Sequence, residues 1–288
     1  MATQTSDSHL HGNGDLTKSR YVTISVDDGY PGDLKVADLL RKYGLQATFY
    51  VPAENPERPV ITPAQIREVS QGFEIGSHTY RHAPLMFMSE EKAWAEIQDG
   101  KKWLEDVLGE APIAFCYPRG KFGRRTPALV KKAGFLGART SLHHLCDLPA
   151  DPFLWGITTQ AHGHSKFIHV RHALLEGNFK GLRNFFAIHK GATDWQEHFA
   201  YGLDYVEKNV GIAHLCLHSW ETEEPGEWRK LESVFDSLTR SGLTSVTNGA
   251  LFRLRSQPQG AASSFAAEWV LQNERAEEMV AHQRVTKP

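Results

Sequence analysis

Cysteine is scarce. Three thiols in 288 residues, Cys116, Cys146 and Cys216, are too few and too scattered for a disulfide framework or a thiolate zinc cluster. No stretch approaches the roughly 18 apolar residues that a membrane helix needs, so no integral membrane contact is expected. The opening residues, MATQTSDSHLHGNGDLTKSR, lack the apolar segment of a secretory signal, and the expectation is a cytoplasmic protein. A charge excess is also missing: 32 Lys and Arg stand against 34 Asp and Glu, a net charge of −2, which leaves no electrostatic footprint for nucleic acid. Internal repeats and low-complexity tracts are absent. What remains is an ordinary globular composition, 41% hydrophobic, 23% charged and 10% aromatic. Fifteen histidines against three cysteines mean that a metal site, if present, should use nitrogen and oxygen ligands.

Residues 1–19 read as a polar, disordered tail, 20–255 as one α/β domain, and 256–288 as a linker followed by a C-terminal helix. Within the domain, Tyr21–Val26 is a β-branched run that stops at Asp27-Asp28-Gly29, a strand ending in a carboxylate-bearing turn. Gly32–Tyr43 has helical spacing and closes on Gly44. Ala47–Val51 is a second strand, and Thr62–Gly72 opens like a capped helix with Pro63 in its first turn. Phe73–Ile75 is a strand running into Gly76-Ser77-His78. Ser89–Leu108 is an amphipathic helix, and Ile113–Tyr117, Phe135–Thr140 and Phe153–Gln160 read as strands. Residues 161–210 are less regular, with helices that form a lid or crossover. Ile212–Leu217 is a strand ending in His218-Ser-Trp220, Trp228–Ser241 a helix, and Thr244–Val246 a strand. This alternation predicts an α/β protein with a parallel sheet, and about seven units suit a (β/α) barrel better than an open sheet. Beyond the SQPQG linker, Phe265, Trp269, Ala276 and Val280 share one helix face that packs on the barrel or makes a homo-oligomer contact.

In a parallel barrel all strand C-termini open on one face, where catalytic groups sit. Three strand ends here carry ionisable groups: Asp27 and Asp28, then His78 with His82, then His218. Histidines four apart would share a side of one helical turn. Two imidazoles and a carboxylate make a common ligand set for a catalytic divalent metal with open positions. Each feature alone has a plain structural reading, since Asp-Asp-Gly is turn chemistry and paired histidines are usually surface or core residues. Their order and placement together are more specific.

These segments resemble the polysaccharide deacetylases of the NodB-homology, carbohydrate-esterase-4 group. Ser25-Val-Asp-Asp-Gly29 looks like that family's T-F-D-D-G, and Gly76-Ser-His-Thr-Tyr-Arg-His82 is similar to its H-[ST]-x-x-x-H metal motif. Phe115-Cys-Tyr-Pro-Arg-Gly120 stands where the family has an R-x-P-x-G loop. Ile212-Ala-His-Leu-Cys-Leu-His-Ser219 looks like its closing strand with histidine, and Lys42–Val51 matches its second strand. The resemblance covers about residues 20–250. It implies a distorted (β/α) barrel that removes acetyl groups from N-acetylated sugars with a divalent metal, usually zinc, with cobalt, nickel and manganese as other candidates. By the same resemblance Asp28, His78 and His82 would bind the metal, Asp27 would be the general base, His218 the general acid, and the Arg119 backbone N–H an oxyanion donor.

Two departures from the family pattern stand out. Cys116 replaces the arginine that orients the basic aspartate in the family, leaving Arg139 or Arg119 as substitutes. The family's Asp–Trp motif has two candidates, Asp151 with Trp155 and Asp194 with Trp195. Tyr30, Tyr80, Tyr117, Trp155 and Trp220 lie beside the motifs as candidate sugar platforms. The expected substrate is a free, nucleotide-linked or lipid-linked N-acetylated sugar in the biosynthesis of O-antigen or another surface glycan. The alternatives are an amidohydrolase acting on a small non-sugar amide or ureide, and a non-catalytic carbohydrate-binding relative.

Overall fold

A computed structural model of the chain describes residues 20–256. The polar tail expected over 1–19 and the helix expected beyond the linker lie outside those residues. The elements run β1 (Arg20–Asp27), α1 (Asp33–Tyr43), β2 (Thr48–Val51), α2 (Pro63–Ser70), β3 (Glu74–Ser77), α3 (Glu90–Leu108), β4 (Ala114–Cys116), α4 (Thr126–Lys132) and β5 (Gly137–Arg139). They continue through β6 (Thr159–Gln160), α5 (Lys166–Leu175), α6 (Phe179–Ala187), α7 (Trp195–Lys208), β7 (Gly211–Leu217), α8 (Ser219–Glu223), α9 (Trp228–Leu238), β8 (Thr244–Ser245) and α10 (Asn248–Ser256).

Every strand pairing is parallel, in the order β5-β4-β3-β2-β1-β7-β6, with β8 beside the start of β1. The sheet curls into the expected distorted barrel. Its two edges are joined by an irregular segment rather than by the continuous strand expected over Phe153–Gln160. Trp155 bridges to Arg139 on one side, and the Thr158 N–H donates to the His214 carbonyl on the other at 3.0 Å. The kink between them keeps only Thr159–Gln160 in strand geometry. The irregular stretch expected over 161–210 is three helices, of which α7 packs against β6 and β7.

Period-2 alternation sorts side chains by face. Val22, Ile24 and Val26 of β1 join Ala213, Leu215 and Leu217 of β7 in a core shared with Val36 and Leu40 of α1 and with Leu231 and Phe235 of α9. The opposite face looks into the barrel, where Thr23 donates to Asn248 at 2.7 Å and Ser25 meets His214 at 2.9 Å. The floor is closed by Tyr50, Trp155 and Phe252. Position 137 must be glycine, because a Cβ there would lie 2.4 Å from the Phe252 ring. Asp27, His78, Cys116, Arg139 and Cys216 fall at the C-terminal ends of these strands. Strand parity thus delivers residues from distant parts of the chain to one rim.

Candidate active site

Asp28 follows the last residue of β1 with φ of +78°, a conformation uncommon outside glycine that turns its carboxylate across the barrel mouth. His78 continues β3, while His82 ends a loop in which Thr79 and His82 both take positive φ, +65° and +52°. The expected helical turn between the two histidines is therefore a left-handed loop, pinned by a hydrogen bond of 3.1 Å from the Ala83 N–H to Thr79 Oγ1. Gly100 of α3 permits the close approach, since a Cβ there would meet the Thr79 backbone at 2.6 Å. The two imidazoles still converge: Asp28 Oδ1 lies 3.1 Å from His82 Nε2 and 3.5 Å from His78 Nε2.

This donor set fits a divalent cation on two observations. His78 Nδ1 lies 2.9 Å from the Cys116 carbonyl oxygen, which can only accept, so Nδ1 carries the proton and Nε2 offers a lone pair. That is the orientation a metal-ligating histidine takes from its outer contacts. Asp28 Oδ1 is buried and has no hydrogen-bond donor, while Oδ2 accepts from the Trp220 indole at 3.1 Å. A His78 lone pair facing a carboxylate oxygen, with the His82 Nε2 3.1 Å from the same oxygen, makes a donor set that a cation would satisfy. Asp28, His78 and His82 thus form a possible metal site, with ligand atoms within 4.8 Å of one another.

Asp27, the last residue of β1, sits beside this group. Its Oδ2 is held by the Arg139 guanidinium in a buried ion pair, with the Cys116 and Cys216 thiols each 3.8 Å away. Its Oδ1 is buried without a partner. Burial alone would raise the Asp27 pKa, but the charges of Arg139, His78 and His218 outweigh it and hold the carboxyl below its ordinary value. His218, just after β7, places Nε2 3.8 Å from Asp27 Oδ2 and Nδ1 2.9 Å from Glu221 Oε2. Burial works against an imidazolium there, yet the bond to Glu221 and the nearby carboxylates push its pKa up to about 9.

An open cavity of about 390 Å³ joins these groups, lined by Asp27, Asp28, His82, His218, Tyr117 and Trp220 among others. Arg139, not Arg119, takes the place of the missing arginine at Asp27. The Arg119 side chain stands at the cavity rim, paired with Glu57. Its backbone, at φ of +55°, lies in a turn whose bonds run from Gly120 and Lys121 to the Tyr117 and Pro118 carbonyls.

The aromatic candidates divide. Trp220 lines the cavity beneath the Arg58 guanidinium, 3.5 Å from its ring. Tyr117 borders it too, but is fully buried and donates its hydroxyl to the Phe153 carbonyl at 3.1 Å. Trp155 is core, packed edge-on against Phe252 at 5.2 Å. Tyr30 and Tyr80 stand outside the lining: the Tyr30 carbonyl accepts from Asp33 at the start of α1, and the Tyr80 ring lies 5.0 Å from Arg81. Neither Asp–Trp candidate reaches the site. Asp151 caps the Phe153 N–H at 2.8 Å, and Asp194 caps α7 while Trp195 donates to Glu227 at 2.7 Å.

The carboxylate that serves His218 is Glu221, itself held by the Gln160 amide at 2.8 Å. None of the motifs singles out Glu221 or Gln160. The i,i+3 spacing from His218 to Glu221 is the one sequence signal that pointed there.

The strands and helices together define a curled parallel (β/α) barrel with the candidate site at its mouth. A chitin deacetylase from Colletotrichum lindemuthianum superposes with a TM-score of 0.55 at 17% identity, covering 85% of this chain and 92% of that one. A family 4 acetyl xylan esterase from Clostridium thermocellum does so with a TM-score of 0.52 at 20% identity, covering 83% and 93%. Residues 14–138 match the family model described as polysaccharide deacetylase. In sequence the chain is 33% identical over 127 residues to a peptidoglycan-N-acetylglucosamine deacetylase of Bacillus cereus, covering 43% of this chain and 58% of the relative. It is 29% identical over 113 residues to chitin deacetylase 1 of Cryptococcus neoformans, covering 38% and 23%. The chain spans about half the length of the curated relatives it matches, 58% and 46% for two of them.

Proposed function

We infer that the chain is a hydrolase that removes the N-acetyl group from an N-acetylated amino sugar, using a divalent metal held by Asp28, His78 and His82. The observation that carries this reading is Asp27, a neighbour of His218 and of the candidate ligand His78: one oxygen is held by Arg139 and the other is buried without a partner. Zinc is the first choice, as a metal that suits two imidazoles and a carboxylate. When bound it would supply Lewis acidity to a water and to the amide carbonyl.

The chain's own residues complete the reaction. Asp27 Oδ1, ionised at neutral pH, takes a proton from the attacking water as its oxygen bonds to the acetyl carbon. The Arg119 N–H serves the developing oxyanion. His218, held cationic by Glu221, donates from Nε2 to the amine nitrogen as the C–N bond breaks. Acetate and a free amino sugar result. Arg139 keeps Asp27 ionised and aims its free oxygen.

Among amino sugars we put N-acetylglucosamine first, the group named for the Bacillus cereus relative. Three buried and unpaired thiols suit a reducing compartment, which supports a cytoplasmic enzyme acting on a soluble, nucleotide-linked or lipid-linked glycan precursor. No helix among the described residues is long and apolar enough to cross a membrane. The test is acetate release from a panel of free, nucleotide-linked and oligomeric N-acetylated sugars. Wild-type protein should release acetate from at least one, and Asp27→Asn and His218→Ala should each lower the rate by about 10²–10⁴-fold. Turnover of non-sugar amides alone would contradict the assignment.

A further inference from the structure

Large apolar side chains left outside the core are concentrated in one place. Of the eight that are exposed among the described residues, five belong to α5 and α6: Phe167, Leu174, Leu175, Phe179 and Phe186. Two more, Met86 and Phe87, stand on the loop that follows His82. Phe167, Leu175 and Phe179 are 75%, 70% and 68% exposed. Single apolar side chains scattered on a surface are ordinary, but a group on one helix pair marks an interaction surface.

Helical spacing puts Phe167, Arg171, Leu174 and Leu175 on one side of α5, and Phe179, Arg183 and Phe186 on one side of α6. All of them are exposed. The inward sides make different contacts. His169 of α5 meets the Phe185 ring of α6 with centroids 4.8 Å apart. Asn178 and Asn184 donate to the His143 and His144 carbonyls, each at 2.9 Å. Gly181 allows that approach, since a Cβ there would lie 2.5 Å from the His143 carbonyl oxygen. The pair is thus held to the barrel without its outer apolar residues.

Charge on this segment is one-sided. Residues 166–190 carry five Lys and Arg against one acidic residue, on a chain whose net charge is −2. Lys166, Arg171 and Arg183 have no acidic partner among the described residues, whereas Lys180 pairs with Asp147 at 2.8 Å. The single acid, Glu176, is occupied elsewhere: it pairs with Lys121 at 3.4 Å and lines the active-site cavity. Every strand pairing is parallel, so the segments after β3 and β6 both emerge at the barrel mouth. His172 and Glu176 of α5 line the same cavity as Asp27 and His218. One helix therefore serves both the entrance to the candidate active site and the apolar, basic outer surface.

We propose that the outer faces of α5 and α6 dock on an anionic phospholipid bilayer, with the phenylalanine and leucine side chains in its interfacial region and Lys166, Arg171 and Arg183 on lipid phosphates. Apolar side chains combined with lysine and arginine are what holds a helix in the plane of a bilayer surface. A second copy of the chain is disfavoured as occupant, because a two-fold contact through this face would set the same unpaired cations against one another. Docking brings the barrel mouth to the membrane surface and selects, among the substrates proposed above, the lipid-linked sugar. That selection rests on the deacetylase reading, whereas the docking itself does not.

The experiment measures sedimentation of the full-length protein with sucrose-loaded vesicles. One set is phosphatidylcholine alone, the other phosphatidylcholine mixed with phosphatidylglycerol, each at low and high salt. Wild type should sediment with the mixed vesicles at low salt, less with the neutral ones, and less at high salt, which screens the attraction. A basic side chain near an anionic surface is worth about fivefold in partitioning, so Arg171→Gln/Arg183→Gln should weaken binding by about 25-fold. Phe167→Ser/Phe179→Ser should weaken it by about tenfold or more, with thermal unfolding unchanged because both rings are exposed. Wild type that stays in solution with the mixed vesicles overturns the proposal, as does binding that either double variant leaves unchanged. A dimer that Phe167→Ser/Phe179→Ser makes monomeric, with no vesicle binding by wild type, assigns the face to a second copy and overturns it too. Protein that binds the vesicles but releases acetate from no sugar refutes the catalytic reading and leaves the docking standing.

Discussion

Arg139 at the end of β5 closes on Asp27 at the end of β1 in an ion pair whose two side chains are 3% and 4% exposed. It spans 112 residues of sequence and takes the place of a missing arginine at Cys116. The guanidinium occupies Asp27 Oδ2 and leaves Oδ1 bare. The Tyr50 ring, 5.5 Å from the guanidinium, helps to seal the pair from below.

Removing one member of a buried pair leaves an uncompensated charge, so Arg139→Met should destabilise the protein by about 3–5 kcal/mol and abolish acetate release. Arg139→Met combined with Asp27→Asn should recover most of the stability and none of the activity. Urea unfolding of the two single variants and the double variant, with acetate assays alongside, measures the coupling. Additive stability losses would show that the pair is not coupled.

His218 has its folded-state pKa raised to about 9 from 6.5, so its acid form persists through neutral pH. Activity that depends on that proton should hold through neutrality and fall as pH rises through about 9. Glu221→Gln removes the largest raising influence and should move the alkaline limb toward 6.5. A pH profile of kcat/KM for both proteins checks this. An unshifted limb in Glu221→Gln would remove Glu221 from the account.

Gly76 lies on the inward face of β3, two residues before His78. A Cβ there would meet the Tyr50 ring at 2.5 Å and the Ala114 carbonyl at 3.1 Å. Gly76→Ala should therefore cost about 1–3 kcal/mol through overpacking, read by urea unfolding. By displacing Tyr50 beneath Arg139 it should also lower acetate release. A variant as stable and active as wild type would mean that the ring moves freely.

The parts of the fold that were legible in the sequence rest on period-2 strands ending in polar turns. Tyr21–Val26 before Asp27 and Asp28, and Ile212–Leu217 before His218, predict both the strands and the rim they share. The join between the sheet edges was not legible: Phe153–Gln160 has a strand's composition, but the bonds from Trp155 to β5 and from Thr158 to β7 break it into two short contacts. Strand spacing could not reveal the left-handed backbone at Thr79 and His82, since the close approach of Gly100 to Thr79 is a matter of tertiary packing. Arg139 and Arg119 are alike as letters, and only the parity of β5 turns one inward. Trp155 and Trp220 differ in the same way, one falling on the barrel floor and the other at its mouth. Glu221 carried a spacing signal but no motif.

In the proposed enzyme three distant segments bring one carboxylate and two imidazoles to a common ion. Crystals of the full-length protein grown with zinc, with anomalous data collected at the zinc edge, test it directly. The expected result is a peak about 2.0–2.2 Å from Asp28 Oδ1, His78 Nε2 and His82 Nε2. No peak there at saturating zinc would contradict it.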